Sequence, residues 1–273
     1  AGNRGSTMGY LKSFKGVSDA AARGSSATVN LGLIPSSNSP GGFHNHAKGP
    51  TRIDVARTIT FGATSTLVLQ WNDPFDRGAV TTDYDLYVYN AAGTAIVASS
   101  ADDNVATDQP VEAVQVPTGT YQIVVVRFDS ATPEPVADQV RFVTFGSVVN
   151  GEYLEDDTPI TFGHNSAAGG NGVAAVPWFQ PYLPESFTSP GPSLMYFDAA
   201  GTRLAKPQVR AKPDFAAPDG VNTTFFISDT FEDADSFPNF FGTSAAAPSA
   251  AAVAALVLEG AGGNDALYGG GGS

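Results

Sequence analysis

Between about residues 50 and 146, apolar and polar positions alternate with period two. Leu67, Leu69 and Trp71 form one such run, Tyr84, Leu86 and Val88 a second, and Tyr121, Ile123 and Val125 a third. Successive side chains of an extended strand point to opposite faces, so each run predicts a strand with one face buried. Asn90-Ala91-Ala92-Gly93 and Pro117-Thr118-Gly119 mark turns between them. Closely spaced strands with such turns predict an antiparallel β-sandwich or jelly roll rather than βαβ units. Beyond about residue 155 the texture changes. Unbroken apolar runs at 173–179 and 224–227 predict buried strands, and residues 244–258, nearly all alanine, valine and leucine, predict a helix. A helix apolar on almost every face is expected in the middle of a domain. The first forty residues are rich in glycine, serine and alanine, with one apolar stretch at 29–34, and residues 260–273 are a glycine-rich tail.

Composition narrows the chemistry. With 273 residues and 42% hydrophobic positions, the chain can build two packed domains, taking about 150 residues for each. The longest apolar stretch is mostly alanine and is interrupted by Pro248 and Ser249, so no membrane span is expected. A net charge of −13 argues against nucleic-acid binding, which needs a basic face, and is compatible with calcium as counter-ion. No cysteine is present, which removes disulfides, thiolate zinc sites and cysteine catalysis. Because the chain opens on Ala1-Gly2-Asn3, we expect it to be an internal portion of a longer precursor.

The segment Phe241-Gly242-Thr243-Ser244-Ala245-Ala246-Ala247-Pro248 carries the most chemistry. Gly242 permits a close backbone approach. Ser244 opens a helix, where unbonded amides and the macrodipole favour negative charge, and Pro248 falls in the first turn. Such a serine could attack a carbonyl while its own N–H faces the oxyanion. It could equally be an ordinary helix-capping serine, and local physics alone favours the cap.

Four motifs, in order along the chain, change that balance: Ala1-Gly2-Asn3-Arg4-Gly5, Glu185-Ser186-Phe187-Thr188-Ser189-Pro190-Gly191-Pro192, Lys212-Pro213-Asp214-Phe215-Ala216-Ala217-Pro218, and Gly242-Thr243-Ser244-Ala245-Ala246-Ala247-Pro248. Together they resemble the C-terminal part of the subtilisin-like serine protease family (peptidase S8). The resemblance implies an α/β fold, a partial, mostly parallel subtilisin-like sheet carrying the antiparallel β-sandwich or jelly roll as an insertion. It places the catalytic part at 1–40 and 155–259, the insert at 41–154 and the tail at 260–273. It implies Ser244 as nucleophile, Asn3 as oxyanion donor, and Ala1 and Gly2 as one wall of the substrate pocket. Because the family order is Asp, His, Ser, both partners of Ser244 are expected before Ala1, and the chain alone should be inactive. Ser249 stands where many members carry a histidine that is not the base.

The three histidines, His44, His46 and His164, lie outside any His-Gly-Thr segment of the family. His44 and His46 alternate as ligands would, without an evident third ligand, and read as a loop pair. His164 reads as a structural polar residue. In the insert, Trp71-Asn72-Asp73-Pro74 and Asp83-Tyr84-Asp85-Leu86-Tyr87-Val88 are similar to pre-peptidase C-terminal jelly rolls. Asp83 and Asp85 share a strand face with Tyr87 and Tyr89 and, with Asp73 and Asp102-Asp103-Asn104, offer oxygen ligands for a structural Ca²⁺, or else form a solvated acidic edge. The aromatics are expected to be exposed. Gly262-Gly263-Asn264-Asp265-Ala266-Leu267 resembles the start of an RTX calcium repeat, with Asp265 as ligand. The reading is therefore a secreted, extracellular serine endopeptidase acting on protein or peptide substrates, with no organic cofactor and an oligomeric state that the sequence leaves open. The alternative is a non-catalytic extracellular adhesion protein on the same scaffold.

Overall fold

The computed structural model describes residues 2–5, 9–25, 27–49, 51–128, 139–154, 158–226 and 228–262. The chain divides into two compact units, Thr7–Thr158 with Met195–Gln208, and Ala1–Ser6 with Pro159–Leu194 and Val209–Ser273. It is a mixed α/β protein with several sheets and few helices.

The β-rich unit holds β1 (Tyr10–Ser13), β2 (Gly16–Val17), β3 (Phe43–His44), β4 (Arg57–Phe61), β5 (Ser65–Trp71), β6 (Tyr84–Asn90), β7 (Ile96–Ser100), β8 (Val111–Val116), β9 (Gly119–Arg127), β10 (Gln139–Phe145) and β11 (Val148–Gly151). One sheet runs β1-β10-β5-β8. The other runs β11-β4-β9-β3-β2, with β6 joined to β9 and β7 to β6. Neighbours pair antiparallel; in β5, Leu69 lies opposite Phe142 on one side and Glu112 on the other. The alternation read from the sequence lands where it should. Leu67, Leu69 and Trp71 are buried with Ile59, Phe61, Leu86, Val88, Ile123 and Val125 between the two sheets.

The sheet containing β6 and β9 is covered on its other face too. Ala22, Val29, Leu31 and Ile34, from helix α1 (Asp19–Arg23) and the turns after it, pack on Phe43, Tyr87, Tyr89, Val124 and Val126. Two-sided burial explains why the positions between the alternating ones, Tyr87 and Tyr89 in β6 and Val124 and Val126 in β9, are apolar as well. It also corrects two expectations. Residues 7–40 group with the β-rich unit rather than with the second unit, because the 29–34 stretch buries its side chains there. Tyr87 and Tyr89 are buried, not exposed. Gly93 closes the β6–β7 turn at φ +68°, and a Cβ there would sit 2.1 Å from the Thr28 carbonyl oxygen. Only glycine lets that turn lie on the covering segment, whose Asn30 N–H donates to the Gly93 carbonyl at 2.7 Å.

Several polar groups are trapped by this layering. The Tyr10 hydroxyl bridges His44 Nε2 at 2.8 Å and His46 Nδ1 at 2.7 Å. Burial, then the nearby Lys15 charge, pushes the His44 imidazole down to about 3. Burial, then the His44 and Arg57 charges, holds His46 well below its ordinary value. Asp85 is driven the other way, up to about 7, by burial first and then by the Asp83 charge. Tyr87 donates to its Oδ2 at 3.2 Å.

The second unit is smaller in regular structure. Continuing along the chain, β12 (Val173–Pro177) precedes the consecutive strands β13 (Ser193–Phe197) and β14 (Arg203–Arg210), most of which group with the β-rich unit. Then come β15 (Phe215–Asp219), β16 (Val221–Asn222), β17 (Asn239–Phe240) and α3 (Thr243–Gly262), the short helix α2 (Asn104–Thr107) lying between β7 and β8 of the β-rich unit. β12 and β15 pair in parallel, with Val173 opposite Phe215 and Pro177 opposite Asp219. Val173, Ala175 and Ala217 pack on Ala246 of α3. Residues 224–226 form an exposed bend rather than a strand, and Ile227 lies outside the described residues. Beyond Ala250, α3 leaves its support. Val253, Leu256, Val257 and Leu258 are 54–74% exposed, contrary to the expectation of a fully buried helix. A two-stranded sheet is too narrow to cover five turns of helix. By length and composition, Thr243–Gly260 would suffice to cross a membrane, a test that core helices also pass; its first turn is packed as a core helix is.

The histidines and Asp85 oppose each other in their response to acid. Imidazoles held neutral in the fold bind protons first in the unfolded chain, so their contribution is complete above about pH 6.5 and is lost as pH falls towards 3. Asp85, raised in the fold, costs stability above about pH 7 and nothing once both states are protonated. Asp85→Asn is therefore expected to raise the urea midpoint at pH 8, to leave it nearly unchanged at pH 4, and to steepen the loss of stability between them. Parallel unfolding curves for variant and parent across that range would refute this assignment.

Candidate functional site

Three of the four motifs converge on the turn before α3, and the fourth braces the strands beneath it. Asn3 Oδ1 accepts the Thr243 N–H at 3.0 Å and the Thr243 hydroxyl at 2.7 Å, joining segments 240 residues apart. With its carbonyl oxygen engaged, the Asn3 amide presents its NH₂ group beside Gly242. A Cβ on Gly242 would stand 3.0 Å from Asn3 Nδ2. Asn3 and Ser244 are both exposed, whereas Thr243, Ala245 and Ala246 are buried. The Ala245 and Ala246 N–H groups close back on the Gly242 carbonyl, at 2.9 and 3.1 Å. Among the described residues the Ser244 N–H takes no acceptor, as befits the first turn of a helix. The result is two donors close together, one from a side chain and one from the backbone, at 3.0 and 3.8 Å from a Cβ placed on Gly242, next to an exposed serine.

Residues 185–190 hold the asparagine segment in place. The Ser189 N–H donates to the Gly2 carbonyl at 2.8 Å, the Arg4 N–H to Ser189 Oγ at 3.0 Å, and the Gly5 N–H to the Phe187 carbonyl at 2.8 Å. Gly2 runs so close that a Cβ would meet Ser189 Oγ at 3.1 Å. Lys212 and Asp214 serve the strands instead. The nearly buried Lys212 ammonium reaches Asp214 Oδ2 at 2.7 Å and the Gly170 carbonyl at 2.6 Å, and Asp214 Oδ2 accepts the Gly172 N–H at 2.6 Å. These contacts clamp the entries to β12 and β15 together. The ammonium beside Asp214, followed by the Gly172 amide, holds that carboxyl below the usual range.

Sequence reading missed one residue here. Asp219, fully buried at the end of β15, accepts the Gly242 N–H on Oδ2 at 2.7 Å. It lies one position beyond the Lys212–Pro218 motif. A carboxylate directly before a glycine was the available signal.

The remaining candidates fall elsewhere. Ala1 and Asp265 lie outside the described residues. His44 and His46 are buried in the β-rich unit, and His164 is exposed in a short turn; none hydrogen-bonds Ser244. Asp83 and Asp85 are buried in the β-rich unit, and among the described residues no group of three or more His, Asp or Glu side chains is arranged to hold a metal ion.

A model of the subtilase family of peptidases matches residues 14–266. The chain belongs to the subtilase family. No curated protein matches it. Among solved structures, the CspB protease of Clostridium perfringens is similar at 14% identity and a TM-score of 0.41, over 75% of this chain and 43% of that protein. The chain thus spans less than half the length of the CspB protease. In this subtilase segment the link between Asn3 and Thr243 is the structural tie that can be broken directly. Asn3→Leu removes both acceptor bonds and should lower stability by about 1–2 kcal/mol. Gly242→Ala, at φ +131° and with its new methyl against Asn3, should cost at least as much. Chemical denaturation of the two variants provides the check; a neutral Gly242→Ala would show that the turn is not held as described.

Proposed function

We propose that this chain is the nucleophile-bearing part of a secreted, extracellular serine endopeptidase. Ser244 attacks the scissile carbonyl of a protein or peptide substrate, and Asn3 Nδ2 with the Ser244 N–H receives the negative charge on the carbonyl oxygen. The observation that supports this most is the Asn3–Thr243 pair of hydrogen bonds. It uses up the acceptor end of the asparagine and leaves the donor end at an exposed serine. A capping serine needs no such partner.

Acyl transfer requires a base to take the Ser244 proton, and Ser244 has no histidine bonded to it among the described residues. In this reading the base and its carboxylate come from sequence outside these 273 residues, and Ala1 and Gly2 form one wall of the pocket for the substrate side chain. The β-rich unit then serves docking or substrate gating. Calcium, if it acts as a structural ion, belongs to the glycine-rich segment with Asp265 as a ligand; no organic cofactor takes part.

Three outcomes test the proposal. The chain by itself should neither cleave a casein substrate nor react with a fluorophosphonate. The intact parent protein should be labelled at Ser244 and lose that label in Ser244→Ala, whereas an unlabelled parent would instead mark a non-catalytic adhesion protein. Asn3→Leu in the parent should lower turnover by about 10²–10³ with little change in KM, a figure established on a protease of this family rather than derived from this chain. Separately, calorimetric titration with Ca²⁺ should give heat that Asp265→Asn abolishes and Asp85→Asn does not.

A further inference from the structure

Strand β15 meets the start of α3 at two points on one face. Ala217 and Asp219 lie two positions apart, so their side chains share a side of the strand, and both are buried. Ala217 packs with Ala246 in the first turn of α3. Asp219 takes the Gly242 N–H on Oδ2 at 2.7 Å, just before the helix begins. The apolar contact fixes where the helix lies, and the polar one fixes how the chain runs into it.

Gly242 is the pivot of that approach. Upstream, β17 is bound to β16, with Val221 opposite Phe240 and Asn222 opposite Asn239. Downstream, Asn3 Oδ1 holds Thr243, and the Gly242 carbonyl takes the Ala245 and Ala246 N–H groups. Gly242 joins the two at φ +131°, and glycine has the least restricted backbone torsions of any residue. Gly242 is buried, so its amide depends on the Asp219 oxygen rather than on water. An acceptor is all that this task needs. A carboxylate, a neutral carboxylic acid and a primary amide each present an oxygen that can take an N–H, whereas a hydrocarbon of similar size cannot.

We infer that Asp219 is a positioning residue for the nucleophile turn: by accepting the Gly242 N–H it fixes the peptide before Gly242 and, through it, the direction of the Ser244 N–H. It acts through Gly242 and takes no part in bond making. The catalytic side of this role rests on the reading of Ser244 as nucleophile; the hold on the turn does not.

Two measurements on the isotopically labelled chain test the hold. A scalar coupling through the hydrogen bond should connect the Gly242 amide nitrogen with the Asp219 carboxyl carbon in the unaltered chain. Hydrogen exchange at the Gly242 amide should be about tenfold faster in Asp219→Leu and little changed in Asp219→Asn, while the amides bonded between β12 and β15 keep their protection in both. In the intact parent protein, Asp219→Leu should lower kcat on casein by about 10–10²-fold with KM nearly unchanged, and Asp219→Asn should recover most of that loss. Absence of the coupling, or a Gly242 amide that exchanges equally in the unaltered chain and in Asp219→Leu, overturns the hold. Unchanged kcat in Asp219→Leu, or an Asp219→Asn protein as slow as Asp219→Leu, overturns the positioning role. Should Asp219→Leu fail to fold, the coupling and the turnover of Asp219→Asn decide. If the coupling is present while the parent protein refuses fluorophosphonate, the hold on the turn stands and the nucleophile reading falls.

Discussion

The proposed reading of Ser244 as a nucleophile depends on one side-chain carbonyl. Asn3 Oδ1 takes two donors from Thr243, the N–H and the hydroxyl, and so fixes the direction of its own NH₂ group. An asparagine amide is a dipole with two distinct ends, and tying the acceptor end determines where the donor end points. The neighbouring Ser244 N–H belongs to the first turn of α3, where helix geometry leaves it without an intrahelical partner. Two donors directed at solvent would be a minor cost in an ordinary surface turn. On the proposed reading of Ser244 they would act as electrostatic preorganisation, which needs no rearrangement when charge develops.

Holding that arrangement is a matter of backbone, not of a large core. The second unit buries few large side chains around β12, β15 and the start of α3, and its small cluster is built mostly from valine and alanine. Backbone bonds from residues 187–189 to residues 2–5, the Lys212–Asp214 clamp at the strand entries, and the Asp219 bond to Gly242 do the positioning. Short-range polar bonds suit this task, because their direction is fixed to tens of degrees while apolar packing is not. The exposed Val253, Leu256, Val257 and Leu258 show how little apolar surface this unit supplies for the rest of α3.

The β-rich unit follows the opposite logic. Its stability comes from two apolar layers, one between the sheets and one under the N-terminal covering segment, and its polar groups are passengers forced into uncharged or strained protonation states. The residues that looked most like ligands in the sequence, His44, His46, Asp83 and Asp85, ended up here. For Asp85 the burial reflects strand register: two positions from Tyr87, it shares the face that is buried.

What the sequence determined by itself was local and periodic. Period-two alternation set the strands of the β-rich unit. The Gly242–Pro248 stretch set the start of α3, and the four ordered motifs pointed to the subtilase family. Tertiary structure decided the rest. Alternation says which side chains share a face, but not whether that face is covered, so Tyr87 and Tyr89 read as exposed although Ala22, Val29, Leu31 and Ile34 pack over them. Helical composition says that α3 is apolar, but not how wide a surface awaits it. The partnership of Asn3 with Thr243, and of Asp219 with Gly242, spans gaps of 240 and 23 residues that no local pattern encodes. Such bonds depend on the path of the whole chain, and that path is fixed only when every strand has chosen its neighbour.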